Sequence, residues 1–486
     1  MADMREMLRR LRRFDRHVTT VDTQRAATSL LVAAVVVFVP LYSAWQVAST
    51  AANVATPRST TLPIGTAPVE PVFSVRRIAQ TVAIDARVAK VRARLTSVSA
   101  NMPEASCLLV RADTRLVADV RSSAPVVPAS NMKLLVAAAA LDVLGADFRY
   151  ETQALGVREG NTVVGNLWLV GGGDPLLSTR GYPATQQYPT ISPTFLDSLA
   201  DEIAASGITT VAGSVVGDES RYDDERYVPT WGDGIRAIEA GPLGALLVND
   251  GIILGEPLKP ANPAVGAATV FTRLLQERGI TVLGAARAGT APTGTAVLAK
   301  LASAPLAQVV VDLLTNSDNN AAELLLKEIG LARRQTPTRT SGLQVMAEAL
   351  ENRGIATAGL SFADGSGLDG GNTVTCSVLV ALLDSFGVES VIGQGLALAG
   401  TTGTLRDVLK SGPAAGRVRA KTGTLRNVKS LSGFYPVQDG AITFAFVLNG
   451  GGVSNQSVYR PLWDDMMKAF GAYSATPLAD ELLPRR

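Results

Sequence analysis

The spacing of apolar and polar positions changes several times along the chain, and each change predicts an element. Residues 26–45 carry no charge and are almost wholly apolar. About 20 such residues match the ~30 Å hydrocarbon core of a bilayer, so a transmembrane helix over 26–47 is expected. From Ser49 to Val72 the chain is rich in Ala, Thr, Ser and Pro, the composition of a linker, which is taken to extend over 48–83. "EASCLLVRADTRLVADVRSSAPVVP" then predicts two short strands joined by a turn. After Pro128, Leu134, Leu135, Ala138, Leu141 and Leu144 recur at helical spacing. A strand-rich stretch begins at Tyr150. "SPTFLDSLADEIAASG" predicts a helix closed by Gly207, and "VGAATVFTRLLQERG" predicts another. "AVLAKLASAPLAQVVVDLLTNSDNNAAELLLKEIG" suggests helices around a polar break. "RVRAKTGTLRNVKSLSGFYPVQDGAITFAFVLNG" alternates like antiparallel strands, with a turn at Gln438-Asp439-Gly440, and a last helix is expected over Val458–Phe470. Strands at both ends with helices between them point to an α+β fold in which terminal strands share one helix-packed sheet.

Charge orients the N-terminal segment. Arg5, Arg9, Arg10, Arg12, Arg13, Arg16 and Arg25 precede the apolar run, and the next charge after it is Arg58. The positive-inside rule places residues 1–25 in the cytoplasm and everything after the span outside. Small residues at Ala48–Ala51 would permit cleavage as a signal peptide. The apolar run exceeds the ~7–15 residues of a signal, which favours an uncleaved anchor in the cytoplasmic membrane. With a net charge of +2 and no basic stripe, nucleic acid is not an expected partner.

The single histidine, His17, lies in that basic tail. The remainder can hold neither a Ser-His-Asp triad nor a histidine-bearing metal site, so any hydrolysis there needs another base. Cys107 and Cys376 leave two readings open: one disulfide in an exported domain, or two separate buried thiols.

Three polar islands interrupt the apolar pattern. Ser130 and Lys133 stand three apart in the first turn of a nearly all-apolar helix, where a neutral lysine could take the serine proton. A capping serine beside a solvated lysine would look the same. Ser317, Asp318 and Asn319 separate two apolar runs and would equally suit a helix cap. Lys421, Thr422, Gly423 and Thr424 open a strand, with Gly423 allowing close approach to its backbone. Singly, each island is ambiguous. Together and in this order they form S-x-x-K, S-D-N and K-T-G.

That order resembles the serine penicillin-recognising enzymes. The segments "PASNMKLLVAAAAL", "GNLWLVGGGDPLLS", "TNSDNNAAELLL", "FADGSGLD", "AGTTGTLRD" and "RAKTGTLRNVKSLSGF" resemble blocks of the class C, low-molecular-mass penicillin-binding proteins, peptidase family S13. The resemblance covers roughly residues 84–473. It implies a β-lactamase/transpeptidase-like domain formed by 84–152 and 301–474, interrupted by an inserted domain over 153–300, with a tail at 475–486. It further implies a D-Ala-D-Ala carboxypeptidase or endopeptidase acting on peptidoglycan stem peptides, binding β-lactams covalently, and needing no metal or organic cofactor. By resemblance Ser130 is the nucleophile, Lys133 its base, Ser317 the proton relay, Asn319 the substrate-amide anchor and Lys421 a charge stabiliser. Thr422 and Thr424 would hold the terminal carboxylate beside Gly423, and the main-chain N–H groups of Ser130 and Thr424 would form the oxyanion hole. Turn chemistry alone accounts for "FADGSGLD" and for the segment around Asp174, and Glu323 reads as an ordinary helix residue. A β-lactamase or esterase on the same site, or a catalytically silent wall-binding scaffold, are the competing expectations.

Overall fold

The computed structural model describes residues 37–46, 75–112, 114–438, 440–474 and 477. The chain forms two units, 1–74 and 75–486. In the first, residues 37–46 are helical and expose Val37, Phe38, Val39, Leu41, Tyr42 and Trp45. The rest of the span expected over 26–47 lies outside the described residues. Among those described, no helix is long and apolar enough to cross a membrane.

The second unit begins earlier than composition suggests. The stretch expected to be linker as far as residue 83 is helical from its ninth-last position, within α1 (Val75–Asn101). Val88, Val91, Leu95 and Val98 recur every three or four residues and are buried, so packing holds this helix in place of intrinsic linker flexibility.

A six-stranded sheet forms the centre, in the order β12 (Ala397–Leu398), β13 (Arg419–Leu425), β14 (Val428–Val437), β15 (Gly440–Asn449), β1 (Cys107–Ala112), β2 (Arg115–Val120). Its pairs are antiparallel, and β1 lies on β15 with Cys107 opposite Val447. The first and last strands of this unit thus meet in one sheet, as the alternation predicts. β14 and β15 pair down to Val437 opposite Gly440; Asp439 of the expected turn lies outside the described residues.

Helices cover both faces. α1 and α10 (Gln456–Gly471) bury Val91, Leu95, Trp463 and Phe470 against Leu431, Phe444 and Phe446. The other face packs α2 (Met132–Leu144), α5 (Leu306–Asn316), α6 (Asn319–Arg334), α7 (Arg339–Asn352) and α8 (Cys376–Phe386). The first nine residues of α2, Met132 to Ala140, are all buried, so the helix has no solvent face until its last turn, where Asp142 is exposed. Cys107 and Cys376 are joined by a disulfide that ties β1 to the start of α8.

Residues 151–302 build a second, seven-stranded mixed sheet. Its main path is β10 (Arg287–Ala288), β8 (Val215–Asp218), β4 (Thr162–Val170), β3 (Glu151–Glu159), β11 (Val297–Ala302), with β7 (Thr210–Val211) pairing β4 and β9 (Thr281–Val282) pairing β7, while β5 (Leu177–Ser178) and β6 (Thr194–Phe195) pair separately. α3 (Leu196–Ala205) and α4 (Pro263–Glu277) close its core. "AVLAK", expected to be helical, is instead part of β11, whose burial pattern fits an edge strand half open to solvent. Pairing with β3 overrides its helical propensity.

Candidate active site

Ser130 sits in a tight turn, Ala129–Asn131, just ahead of α2. Ala129 adopts φ +49°, which turns the chain so that Ser130 stays partly open at the mouth of a buried helix. Three groups hold this turn. Ser430 Oγ on β14 donates to Pro128 O at 2.8 Å and accepts from Asn131 Nδ2. Gly423 passes so close that a Cβ there would stand 2.2 Å from Ser430 Oγ and 2.8 Å from Pro128 O. Gly367, with φ +80°, backs the turn from the other side, where a Cβ would meet Ala129 O at 2.0 Å.

Lys133 is completely buried one turn after Ser130. Its Nζ donates to Ser130 Oγ at 3.0 Å, to Asn319 Oδ1 at 2.7 Å and to Ser366 O at 2.6 Å. Burial pushes its pKa down to about 8, opposed by the carboxylates of Asp364, Glu323, Asp318 and Glu239.

Ser317 separates α5 from α6 in a left-handed conformation, φ +67°. Asp318 caps α6 by accepting from Ala321 N at 3.0 Å, which sends the flanking Ser317 and Asn319 side chains toward the nucleophile. Burial, then the neighbouring Asp250, raises the Asp318 carboxyl well above its usual range. Asn319 Nδ2 donates to Glu239 O at 2.9 Å, so this amide bridges Lys133 to the second-sheet region.

Lys421, also completely buried, donates to Ser317 Oγ at 2.8 Å and to Thr422 O at 2.9 Å. Its pKa is held well below the ordinary lysine range by burial, then by the positive charges of Lys133 and Lys429. Thr422 Oγ1 donates to Thr404 Oγ1 at 2.9 Å, and Thr424 Oγ1 accepts from Lys429 Nζ at 2.8 Å. β12 pairs only with Arg419 and Ala420, so among the described residues β13 has no partner strand on that side from Lys421 onward. All three islands therefore meet along one open strand edge. A cavity of about 530 Å³ opens at the second island, lined in part by Ser317, Asn319, Tyr182, Glu239 and Asp250.

The structure adds residues that sequence patterning assigned to turns or helix packing. Asp364 accepts from Gly367 N, Asp369 N, Asn372 Nδ2 and Trp231 Nε1, making the "DGSG" turn a rigid plate behind Ser130. Glu323, fully buried on α6, accepts from Gly365 N at 3.0 Å and Ser366 N at 2.7 Å. It thereby fixes the Ser366 carbonyl that receives Lys133. Among the described residues its other carboxylate oxygen has no hydrogen-bond partner, and burial, then Asp364, pushes its pKa up to about 7. A buried carboxylate one turn after Asn319 was the available signal, but helical spacing cannot distinguish it from a surface glutamate.

The family model described as D-Ala-D-Ala carboxypeptidase 3 (S13) matches residues 89–257 and 256–469. The chain is 31% identical over 409 residues to the D-alanyl-D-alanine carboxypeptidase of Actinomadura sp. (strain R39), covering 66% of this chain and 73% of that one. It is 30% identical over 351 residues to a carboxypeptidase of Mycobacterium tuberculosis, covering 70% and 74%. Its fold is similar to the crystal structure of penicillin binding protein 4 from Haemophilus influenzae, with a TM-score of 0.65 at 22% identity over 77% of this chain and 99% of that one.

Proposed function

The chain belongs to the D-Ala-D-Ala carboxypeptidase 3 (S13) family and is a serine-type D-Ala-D-Ala peptidase; from that premise we propose the following assignment of roles to its residues. Neutral Lys133 takes the proton of Ser130 Oγ as that oxygen attacks the carbonyl of the D-Ala-D-Ala bond. The main-chain N–H groups of Ser130 and Thr424 stabilise the oxyanion, each worth about 3 kcal/mol of transition-state binding. Asn319 orients the substrate amide. Ser317, hydrogen-bonded to Lys421, relays the proton taken up by Lys133 to the departing D-Ala nitrogen, which leaves Lys133 neutral again. Neutral Lys133 then takes a proton from the water that attacks the Ser130 ester and returns it to Ser130 Oγ as the ester bond breaks. Thr422 and Thr424 hold the substrate's terminal carboxylate at the open edge of β13. β-Lactams acylate the same Ser130 and compete with the stem peptide.

One observation carries this assignment: a buried lysine 3.0 Å from Ser130 Oγ, and a second buried lysine 2.8 Å from Ser317 Oγ, share one cleft. Labelled penicillin should form a covalent adduct on the protein and none on Ser130→Ala. Equal labelling of the variant, or no labelling of either, refutes the assignment.

For location, the uncharged run after seven arginines supports an N-terminal anchor over 26–47, cytoplasmic on its basic side, with the enzyme outside. The Cys107–Cys376 disulfide supports the same compartment, because such bonds persist where the surroundings are oxidising. Fractionation of the full chain, with a protease applied from the outside, would place it; catalytic residues protected in intact cells would argue against an external site.

A further inference from the structure

Lys429 stands on β14 directly opposite Thr424 of β13. Its ammonium donates to Thr424 Oγ1 at 2.8 Å and lies 4.3 Å from the centre of the Tyr459 ring and 5.3 Å from that of Trp463. Those two buried rings of α10 pack on each other at 4.7 Å and form a fixed wall for the lysine. Among the described residues no carboxylate forms an ion pair with it. A half-buried cation held by two aromatic faces and one hydroxyl, with no acidic partner of its own, is poised for an anion from outside.

The direction of the hydrogen bond matters. Because Thr424 Oγ1 accepts from Lys429, its own proton is free to be donated elsewhere. Lys421 is already committed to Ser317 and to Thr422 O. Lys429, unlike Lys421, therefore still has its charge to offer on the Thr424 side of the cleft. Burial, then the charge of Arg460, pushes its pKa down to about 8, which still leaves it about nine-tenths protonated at pH 7.

We infer that Lys429 is a carboxylate-binding residue of this enzyme, holding the terminal carboxylate of the peptide together with Thr422 and Thr424. This rests on the proposal that those two threonines face the carboxylate. Lys429 takes no part in bond making or breaking. It binds a charge present in the substrate before and during acylation, so its contribution enters through KM.

The test compares one peptide ending in a free D-Ala-D-Ala carboxylate with its C-terminal amide, on the wild-type enzyme, Lys429→Met and Lys429→Arg. The wild type should prefer the acid. Lys429→Met, which keeps an unbranched chain over Tyr459 and Trp463, should lose about tenfold in kcat/KM for the acid through a raised KM. Its rate on the amide should be unchanged, and Lys429→Arg should keep most of the preference. An undiminished preference in Lys429→Met, an equal fall on both peptides, or a loss in Lys429→Arg as large as in Lys429→Met would each overturn the inference. If Lys429→Met does not fold, Lys429→Gln takes its place on the same two peptides with the same expected and overturning outcomes. A wild type with no preference for the acid would instead sink the threonine clamp itself, so the two failures are distinguishable.

Discussion

The protonation of Lys133 sets a quantitative expectation for how acylation depends on pH. The lysine acts as base only when neutral, and its pKa is lowered to about 8 by burial. About one molecule in ten then carries neutral Lys133 at pH 7, half at pH 8 and about nine in ten at pH 9. The first-order rate of Ser130 acylation should rise about tenfold from pH 7 to 9 and level off there. A lysine near its ordinary value of 10.5 would instead give about a hundredfold rise over the same interval, with no plateau. The rate is read by stopped flow with a fluorescent penicillin at saturation. Saturation matters because Lys429 also titrates near 8, and its loss of charge would weaken binding of the penicillin carboxylate as pH rises. The saturated rate isolates the base; the concentration dependence reports the clamp. A saturated rate that is flat from pH 6 to 9, or that climbs tenfold per unit beyond pH 9, would refute the role of Lys133 as a burial-tuned base.

Three further outcomes follow from the same contacts. Glu323→Gln keeps an acceptor for the N–H groups of Gly365 and Ser366 but removes a charge that raises Lys133, so the acylation limb should move to lower pH in the saturated rate profile; movement to higher pH would contradict the electrostatic account. Gly423→Ala would set a Cβ 2.2 Å from Ser430 Oγ and 3.0 Å from Ala129 Cβ, forcing β13 off the nucleophile turn. Overpacking of this kind costs about 1–3 kcal/mol, so both the melting temperature and penicillin labelling should fall, and an unaffected labelling rate would show that the strand need not touch the turn. Breaking the disulfide with Cys107→Ser and Cys376→Ser opens a loop of 269 residues. Loop-closure entropy alone puts the loss at about 5.6 kcal/mol, and denaturant unfolding with no change in midpoint would refute that contribution.

The three islands were legible in sequence because together, in their order, they resemble the motifs of a known family, and the structure brings all of them to one strand edge. The central sheet was legible because β13, β14 and β15 alternate strongly and are joined by short turns. What stayed hidden depended on burial or on partners distant in sequence. "AVLAK" has a composition suited to a helix, and only β3, about 145 residues earlier, makes it a strand. Residues 75–83 lie next to a Pro- and Thr-rich segment whose composition masks the start of α1. Glu323 and Ser366 looked like a helix residue and a turn residue. Their role depends on Ser366 O accepting from Lys133 across 233 positions and on Glu323 holding the Ser366 N–H across 43, contacts through main-chain groups that no side-chain motif can announce.

Those hidden contacts resolve a conflict built into the site. A lysine placed in an apolar helix is pushed toward its neutral form, and full burial without partners would also leave its amine unsatisfied. Ser366 O and Asn319 Oδ1 satisfy it without adding a formal negative charge. The two carboxylates that raise its pKa most act from behind those neutral acceptors: Asp364 through the "DGSG" turn, and Glu323 through the backbone of the same turn. Moving either charge into direct contact would keep Lys133 protonated and remove the base. Replacing both by apolar groups would release the turn that holds Ser366 and, through Gly367, the nucleophile itself. The separation of charge from the lysine by one layer of neutral hydrogen-bond acceptors is what allows a fully buried Lys133 to remain both anchored and able to take a proton near neutral pH.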